Sequence, residues 1–407
     1  MEPNTILFIK NKFQEHYMKE PPEPPPVLEK REWGFLMLEP GSGMRRHKAF
    51  ISVAEMQEYI QAMVPAHVYH SAAYYQHPGA YTMKEKNWEG ADLIFDIDAD
   101  HLPVKADSLK VMLDAAKQEI IKLVGFLMDD FGLDEKNLHI AFSGGRGYHV
   151  HVRDPKVLTL DSAQRREIVD YLETKGLDKK YFISRKFIRS EIDFGDKSYT
   201  EDYGKKSTGT QHKISRSGWG KHILNYFSDY LEGLSKLDDD EIIKILKNLG
   251  IKRKKQINNI ISVCRNKKSI HNFKQYGEID IAQYSEKFFN LIVEKAINEN
   301  KVILGGAYVD EPVTADIKRL IRAASSLHGK SGMKVISLCV DELHLFEPLV
   351  DAVVFGDNEI KINVTRATTV EMMDEQFEVD EGANVLPEYA AIYLMCKGAA
   401  EYMGGVT

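Results

Sequence analysis

The chain is expected to fold in the α/β (α+β) class, with mixed sheets flanked by helices and an inserted all-helical subdomain. Three observations carry that expectation. β-like segments alternate with amphipathic helices over residues 1–160 and again over 301–407. Between them, over 161–300, long charged helical segments dominate. The 407 residues suffice for two or three domains with a sizeable core.

The elements follow in order. Residues 1–20 place Ile6, Ile9, Phe13 and Tyr17 at helical spacing, and Pro21 to Pro26 then stiffens an extended connection. Arg31 to Leu38 and Met44 to Val53 read as strands around the turn Gly41-Ser42-Gly43, a hairpin. A short helix over Ala54 to Met63 and a β-like stretch over Val64 to Tyr75 follow. Leu93 to Asp98 is a buried strand ending in acid, and Leu109 to Asp130 is an amphipathic helix. Leu138 to Phe142 and Tyr148 to Val152 are strands around Ser143-Gly144-Gly145-Arg146-Gly147, with His149 and His151 on one face.

Helices are expected over Ser162 to Lys175, Lys221 to Ser235, Asp239 to Leu249, Lys255 to Cys264 and Ser285 to Glu299. Asp193 to Gly220 reads as a loop. Further on come a strand over Lys301 to Val309 ending at Asp310, a short helix over Thr314 to Ala323 and a loop over Ser325 to Gly332. Strands over Val335 to Val340, Glu359 to Val364 and Glu375 to Val379 precede a terminal helix over Leu386 to Tyr402.

Composition narrows the function classes. No run of 18 apolar residues exists, so no membrane span is expected, and the first residues lack the basic start of a signal peptide. Cys264, Cys339 and Cys396 lie far apart, which suits a reducing cytoplasm and supplies neither a disulfide framework nor a zinc site. A net charge of −7 does not advertise a nucleic-acid binder. The charge is uneven, though: Arg45 to Lys48, Lys179 to Arg189, Lys205 to His222, Lys252 to Lys255 and Lys318 to Lys334 are locally basic. Singly each suits a solvated face; together such clusters can form a positive channel.

Three stretches carry chemistry. Asp96 and Asp98, two apart on a strand, point to one face and repel unless a divalent metal, a shared proton or an arginine lies between them. A bare Asp-x-Asp equally suits a strand leaving into solvent. With Asp310, also at a strand end, three carboxylates can hold two hard cations through oxygen. In Ser143 to His149 the glycines let the backbone approach a ligand, and Ser143 and Arg146 can bind phosphate oxygens. No Walker Lys-Ser/Thr follows, which excludes a P-loop. In Lys318 to Lys330, cations, hydroxyls and His328 follow shortly after Asp310, an arrangement suited to a triphosphate held beside metals.

Four motifs in this order, Arg31-Glu32-Trp33-Gly34-Phe35, Leu93 to Asp98, Ser143 to His149 and Ser326-Leu327-His328-Gly329-Lys330, closely resemble the catalytic small subunit of archaeal and eukaryotic DNA primase. The Leu-His-Gly-Lys loop is similar to the archaeal branch. The resemblance implies a primase-type core with an inserted helical subdomain, making short RNA primers on single-stranded DNA from ribonucleoside triphosphates. It also implies a heterodimer with the large primase subunit, and frequent use of deoxynucleotides among archaeal members.

Carried over by position, Asp96, Asp98 and Asp310 match the catalytic, metal-binding acids that take Mg2+ or Mn2+. Ser143, Arg146 and His149 match the nucleotide-phosphate loop. His328 and Lys330, with Arg322 and Ser326, match the second phosphate-binding group. Glu32 and Arg46 match positions near the active site. Many members carry a Cys/His zinc knuckle after the Asp-x-Asp strand; here Leu102 to Lys117 has no cysteine, so that zinc is expected to be absent. Two alternatives share the motifs: a related polymerase extending existing ends in repair, and an inactive scaffold subunit that binds nucleic acid.

Overall fold

The structure is a computed structural model that describes residues 1–103, 108–188, 209–280, 285–304 and 313–405. It divides into two compact units, Met1–Glu173 with Val302–Thr407, and Thr174–Lys301. The helix that begins at Ser162, read as the start of the insertion, therefore belongs to the first unit. No described helix is long and apolar enough to cross a membrane.

In the first unit, helix α1 (Pro3–Lys19) buries Ile9, Phe13 and Tyr17, the stripe its spacing dictates. Strands β1 (Trp33–Leu36) and β2 (Met44–Lys48) form the hairpin. Helix α2 (Val53–Met63) starts where the Ser52 hydroxyl accepts the Glu55 N–H. β3 (His67–Ser71), β4 (Ala73–Tyr75), α3 (Met83–Lys86), β5 (Trp88–Ala91) and β6 (Leu93–Asp98) follow. Helix α4 (Leu109–Asp129), capped by Ser108, leads to β7 (Leu138–Phe142), β8 (Gly147–Val152) and α5 (Ser162–Leu172).

The second unit holds β9 (Ile183–Ile188), β10 (Gly209–Ile214), α6 (Trp219–Ser235), α7 (Asp239–Asn248), α8 (Lys254–Arg265), α9 (Lys267–Tyr276), β11 (Glu278–Asp280) and α10 (Glu286–Asn300). It is mostly but not all helical. β10 is central to a three-stranded antiparallel sheet with β9 and β11, within the stretch read as a loop. Short polar strands carry little periodicity of their own, and here the pairing makes them.

The chain returns to the first unit with β12 (Leu320–Arg322), β13 (Ile336–Leu338), α11 (Pro348–Asp351), β14 (Glu359–Val364), β15 (Thr368–Met372), β16 (Glu375–Val379), β17 (Gly382–Pro387), α12 (Glu388–Cys396) and β18 (Ala400–Gly405). Two expectations fail here. The helix expected over Thr314 to Ala323 is a single tight turn followed by β12, because Leu320–Arg322 pairs with Ser71–Tyr69. The terminal helix stops at Cys396: Gly398 turns the chain at φ +72°, and β18 returns to pair with β14. Lys301 to Leu304 forms no strand, and the rest of the strand expected there lies outside the described residues, as does Asp310.

Two four-stranded antiparallel sheets position the site, in the orders β12-β3-β1-β2 and β13-β7-β8-β6. In the second, Leu93, Phe95 and Ile97 pair with Val152, Val150 and Tyr148, and this apolar face is buried against α4. The opposite face carries Ile94, Asp96 and Asp98. Ile94 packs with Ile321 of the first sheet and with Ala72, just after β3, so the two acids open just beyond that joint.

Two buried arginines fix the start of β6. Arg31 donates to Ser71 O, Ala72 O and the Asp92 carboxylate at 2.8–2.9 Å. Arg165 donates to Ala91 O and Asp92 O, both at 2.8 Å. Five planar donors on one group satisfy carbonyls that would otherwise be orphaned in the interior.

Candidate active site

β6 ends beside a turn that only glycine fits. A Cβ on Gly147 would lie 2.4 Å from Ile97 O and 2.6 Å from Asp98 Oδ1. Within the turn the Ser143 hydroxyl accepts the N–H groups of Gly145 and Gly147, each at 3.3 Å. Gly144, at φ +72°, has no room for a Cβ either, since His328 Cβ would be 2.8 Å away.

The close approach has a cause. The loop after β12 folds onto this turn. His328 N–H donates to Met333 O at 2.8 Å, and Ser331 Oγ donates to Gly144 O at 2.5 Å. The two glycine-bearing loops, some 180 residues apart in sequence, thus make one surface.

Together they line a cleft of about 650 Å3, with Asp96, Asp98 and Asp100 facing Arg146, Arg319, Arg322, Lys330 and Lys397. Asp98 is held above the ordinary carboxyl range, by burial first and then by the charge of Asp96. Burial would raise Asp96 as well, but His149, Arg319 and Arg322 outweigh it and its carboxyl lies below the ordinary range. His149 Nε2 is 3.2 Å from Asp96 Oδ1, yet off the line that a hydrogen bond needs, so among the described residues this buried oxygen has no aligned donor.

Arg322 is held from two sides. Its Nη1 lies 2.6 Å from His67 Nδ1, and its guanidinium sits 5.1 Å from the centre of the Tyr69 ring. His67 also accepts the Gly329 N–H on Nδ1, and burial, Arg322 and Lys330 push its pKa down to about 3. His328 is likewise pushed well below the usual imidazole range by burial and then by Arg322 and His67. Its Nδ1 accepts the Lys330 N–H at 3.3 Å, which leaves the proton on Nε2. His328 is therefore a neutral N–H donor, where a cationic one is the simpler expectation for a phosphate site.

Of the expected residues, Asp96, Asp98, Ser143, Arg146, His149, Arg322, His328 and Lys330 line the cleft. Arg146 is tied to Asp100 at 2.8 Å, a pairing that gives Asp100 a role beyond its turn. Ser326 does not line the cleft: its buried hydroxyl donates to Ala323 O at 2.7 Å and holds the loop. Glu32 and Arg46 do not line it either. They meet each other at 3.1 Å, with Lys86 and the His47 N–H completing the cluster around the buried carboxylate. Burial raises Glu32, but Lys86 and Arg46 prevail and hold it below the ordinary range.

Sequence reasoning missed Tyr69, Arg319 and Lys397 among the lining residues, and His67 behind them. Arg319 stood in the singled-out basic run. The alternation of His67 and Tyr69 on β3 puts them on one face, but only the pairing of β3 with β12 links that face to Arg322. Among the described residues, no group of three His, Cys, Asp or Glu comes together as a ready-made metal cage.

Comparison with known proteins supplies the context. The family described as DNA primase small subunit matches residues 95–338. The chain is 44% identical over 405 residues to the DNA primase small subunit PriS of Methanothrix thermoacetophila, covering 98% of this chain and 100% of that protein. It is 44% identical over 408 residues to PriS of Methanocella arvoryzae, covering 99% and 100%. With PriS of Methanococcoides burtonii the identity is 42% over 404 residues, covering 99% and 100%.

Proposed function

This chain belongs to the DNA primase small-subunit family, and from that membership we propose that its cleft joins nucleotides by metal-assisted nucleotidyl transfer. It is the catalytic subunit of a DNA primase, a nucleotidyltransferase of DNA replication. The name small subunit implies a large-subunit partner, and a heterodimer is the assembly we infer. The substrates in this reading are ribonucleoside triphosphates, aligned on a single-stranded DNA template.

The acids fit a hard divalent cation. Asp96 offers a buried oxygen without an aligned donor among the described residues, and Asp98 beside it is strained by like charge. These two, with Asp310, would hold Mg2+ or Mn2+ in a two-ion site. When bound, such ions lower the pKa of an attacking 3′-hydroxyl and offset the charge of the triphosphate.

The chain's own groups do the rest. Arg322, Arg319 and Lys330 bind phosphate oxygens and stabilise charge on the leaving pyrophosphate. Arg322 is pre-oriented by His67 and Tyr69, so little ordering is left for the moment of binding. His328 donates its Nε2–H without adding charge. Arg146 binds phosphate by leaving Asp100, or reaches it with the guanidinium nitrogens that Asp100 does not occupy. His149 holds the Asp96 side of the acid pair. The reading is supported above all by one apposition: two half-buried acids facing Arg319, Arg322 and Lys330 across a single cleft.

Primer synthesis on unprimed single-stranded DNA, with the large subunit present, tests it. Asp98→Asn should lower the rate at least about a hundredfold, a loss of roughly 3 kcal/mol in transition-state stabilisation. Half the wild-type rate from that variant would sink the assignment. Extension of existing ends without initiation from two nucleotides would favour a repair polymerase.

A further inference from the structure

The overall acidity of the chain hides a segregation of charge. Residues 174–301 hold 26 Lys and Arg against 17 Asp and Glu, nine positive in excess, although the whole chain is at −7. Within them, the 36 residues Ile242–Gly277 hold ten Lys and Arg and no Asp or Glu. An even spread of the chain's 61 acids would put about five there.

This acid-free segment runs from α7 through α8 and α9. Its apolar side is buried, through Ile242, Leu246, Ile257, Ile260, Ile270 and Phe273. Among the described residues, only Arg265 and Lys274 of the ten cations are ion-paired, to Asp239 and Asp229. The other eight are exposed, and none has a carboxylate within ion-pair reach among the described residues. Six of them, from Lys244 to Lys255, occupy the end of α7, the turn at Gly250 and the first turn of α8. Lys287 of α10 joins this group, with Nζ 3.0 Å from Gly250 O.

The arrangement costs stability. α7 starts with Asp238 as its cap and three acids in its first turn, as the helix dipole favours. α8 and α9 start with paired lysines and no acid. Eight exposed cations of one sign, without ion-pair partners among the described residues, repel one another, and a line of anions relieves them. Flexible, exposed cations at the ends of these helices suit a repeating phosphate backbone.

We propose that the surface from Lys244 to Lys255, continued by Lys267 and Lys268, binds the sugar–phosphate backbone of single-stranded nucleic acid without sequence preference. It rests on the reading of this chain as a template-dependent primase, and assigns the template strand a binding surface on the second unit.

The test uses the full chain with Lys252, Arg253, Lys254 and Lys255 each replaced by Gln. Binding of a fluorescent oligothymidylate is followed by anisotropy from 50 to 200 mM salt, and triphosphate binding with Mn2+ by calorimetry. Affinity for the oligonucleotide at 100 mM salt should drop at least tenfold. The log–log salt slope should become shallower by about 2–3, since each phosphate contact to a single strand contributes about 0.7. Triphosphate binding should not change. Should the quadruple variant misfold, Lys267→Gln with Lys268→Gln should still flatten the slope by about 1.

Wild-type affinity and slope in the folded variants would overturn the proposal. So would unchanged oligonucleotide binding accompanied by loss of the large subunit, which would make the patch a protein interface. A wild-type chain that binds oligothymidylate through these residues yet makes no primers would sink the functional reading and leave this one standing.

Discussion

His70 and His151 show how strongly burial sets chemistry in this core. Their rings lie 6.2 Å apart, and both are pushed well below the usual imidazole range, by burial first and then by nearby Arg31 and Arg153. A histidine kept neutral in the fold titrates normally once unfolded, so the unfolded chain binds the extra protons. The stability this neutrality leaves intact is complete above about pH 6.5 and declines as pH falls below it, toward the lower folded values. At pH 5.5 each should cost on the order of 1 kcal/mol relative to pH 8. Urea denaturation at the two pH values measures it. His151→Leu should flatten the pH dependence by about one histidine's worth, and an unchanged slope would show that this imidazole titrates in the fold. At this scale the sequence marked Asp96 and Asp98, because a period of two needs no knowledge of the partner strand. It could not tell that Glu32 is neutralised by Lys86 from 54 residues away, so a buried ion cluster passed for an active-site neighbour.

Turns decide the site at the next scale. Gly147 faces Ile97 O and Asp98 Oδ1 so closely that Gly147→Ala must push β8 away from the end of β6. The variant should lose about 2–4 kcal/mol of stability, as in other cases of severe overpacking. It should also lose Mn2+-dependent triphosphate binding by calorimetry, because Asp98 moves. Gly125, with nothing within 4 Å of its Cβ position, supplies the control: Gly125→Ala in α4 should be neutral or stabilising. Long amphipathic helices such as α4 and α6 were legible from periodicity alone. β12 and β10 were not, since three to six polar or mixed residues become strands only when a distant partner offers its ladder. The buried Arg31–Asp92 pair was equally silent, although it anchors the start of β6.

For the whole molecule, ligand binding and stability are linked. Triphosphate with Mn2+, present at a hundred times its Kd, should stabilise the fold by about 2.7 kcal/mol and raise the melting temperature by several degrees. Asp98→Asn should abolish the shift while melting no lower than wild type without ligand, because it relieves crowding with Asp96. A variant that keeps the shift would place the triphosphate away from these acids. By itself the sequence determined the α+β class, the order of the motifs, the pair of acids on one strand face and the glycines that let a backbone turn tightly. Those are local matters, set by the period of side chains and the freedom of φ. Tertiary structure alone decided that the turn at Gly144 and the loop at His328 nest into one surface, that Arg322 is braced by His67 and Tyr69, and that both imidazoles are neutral. Each of these depends on which distant residues exclude water from one another, and no local pattern encodes that.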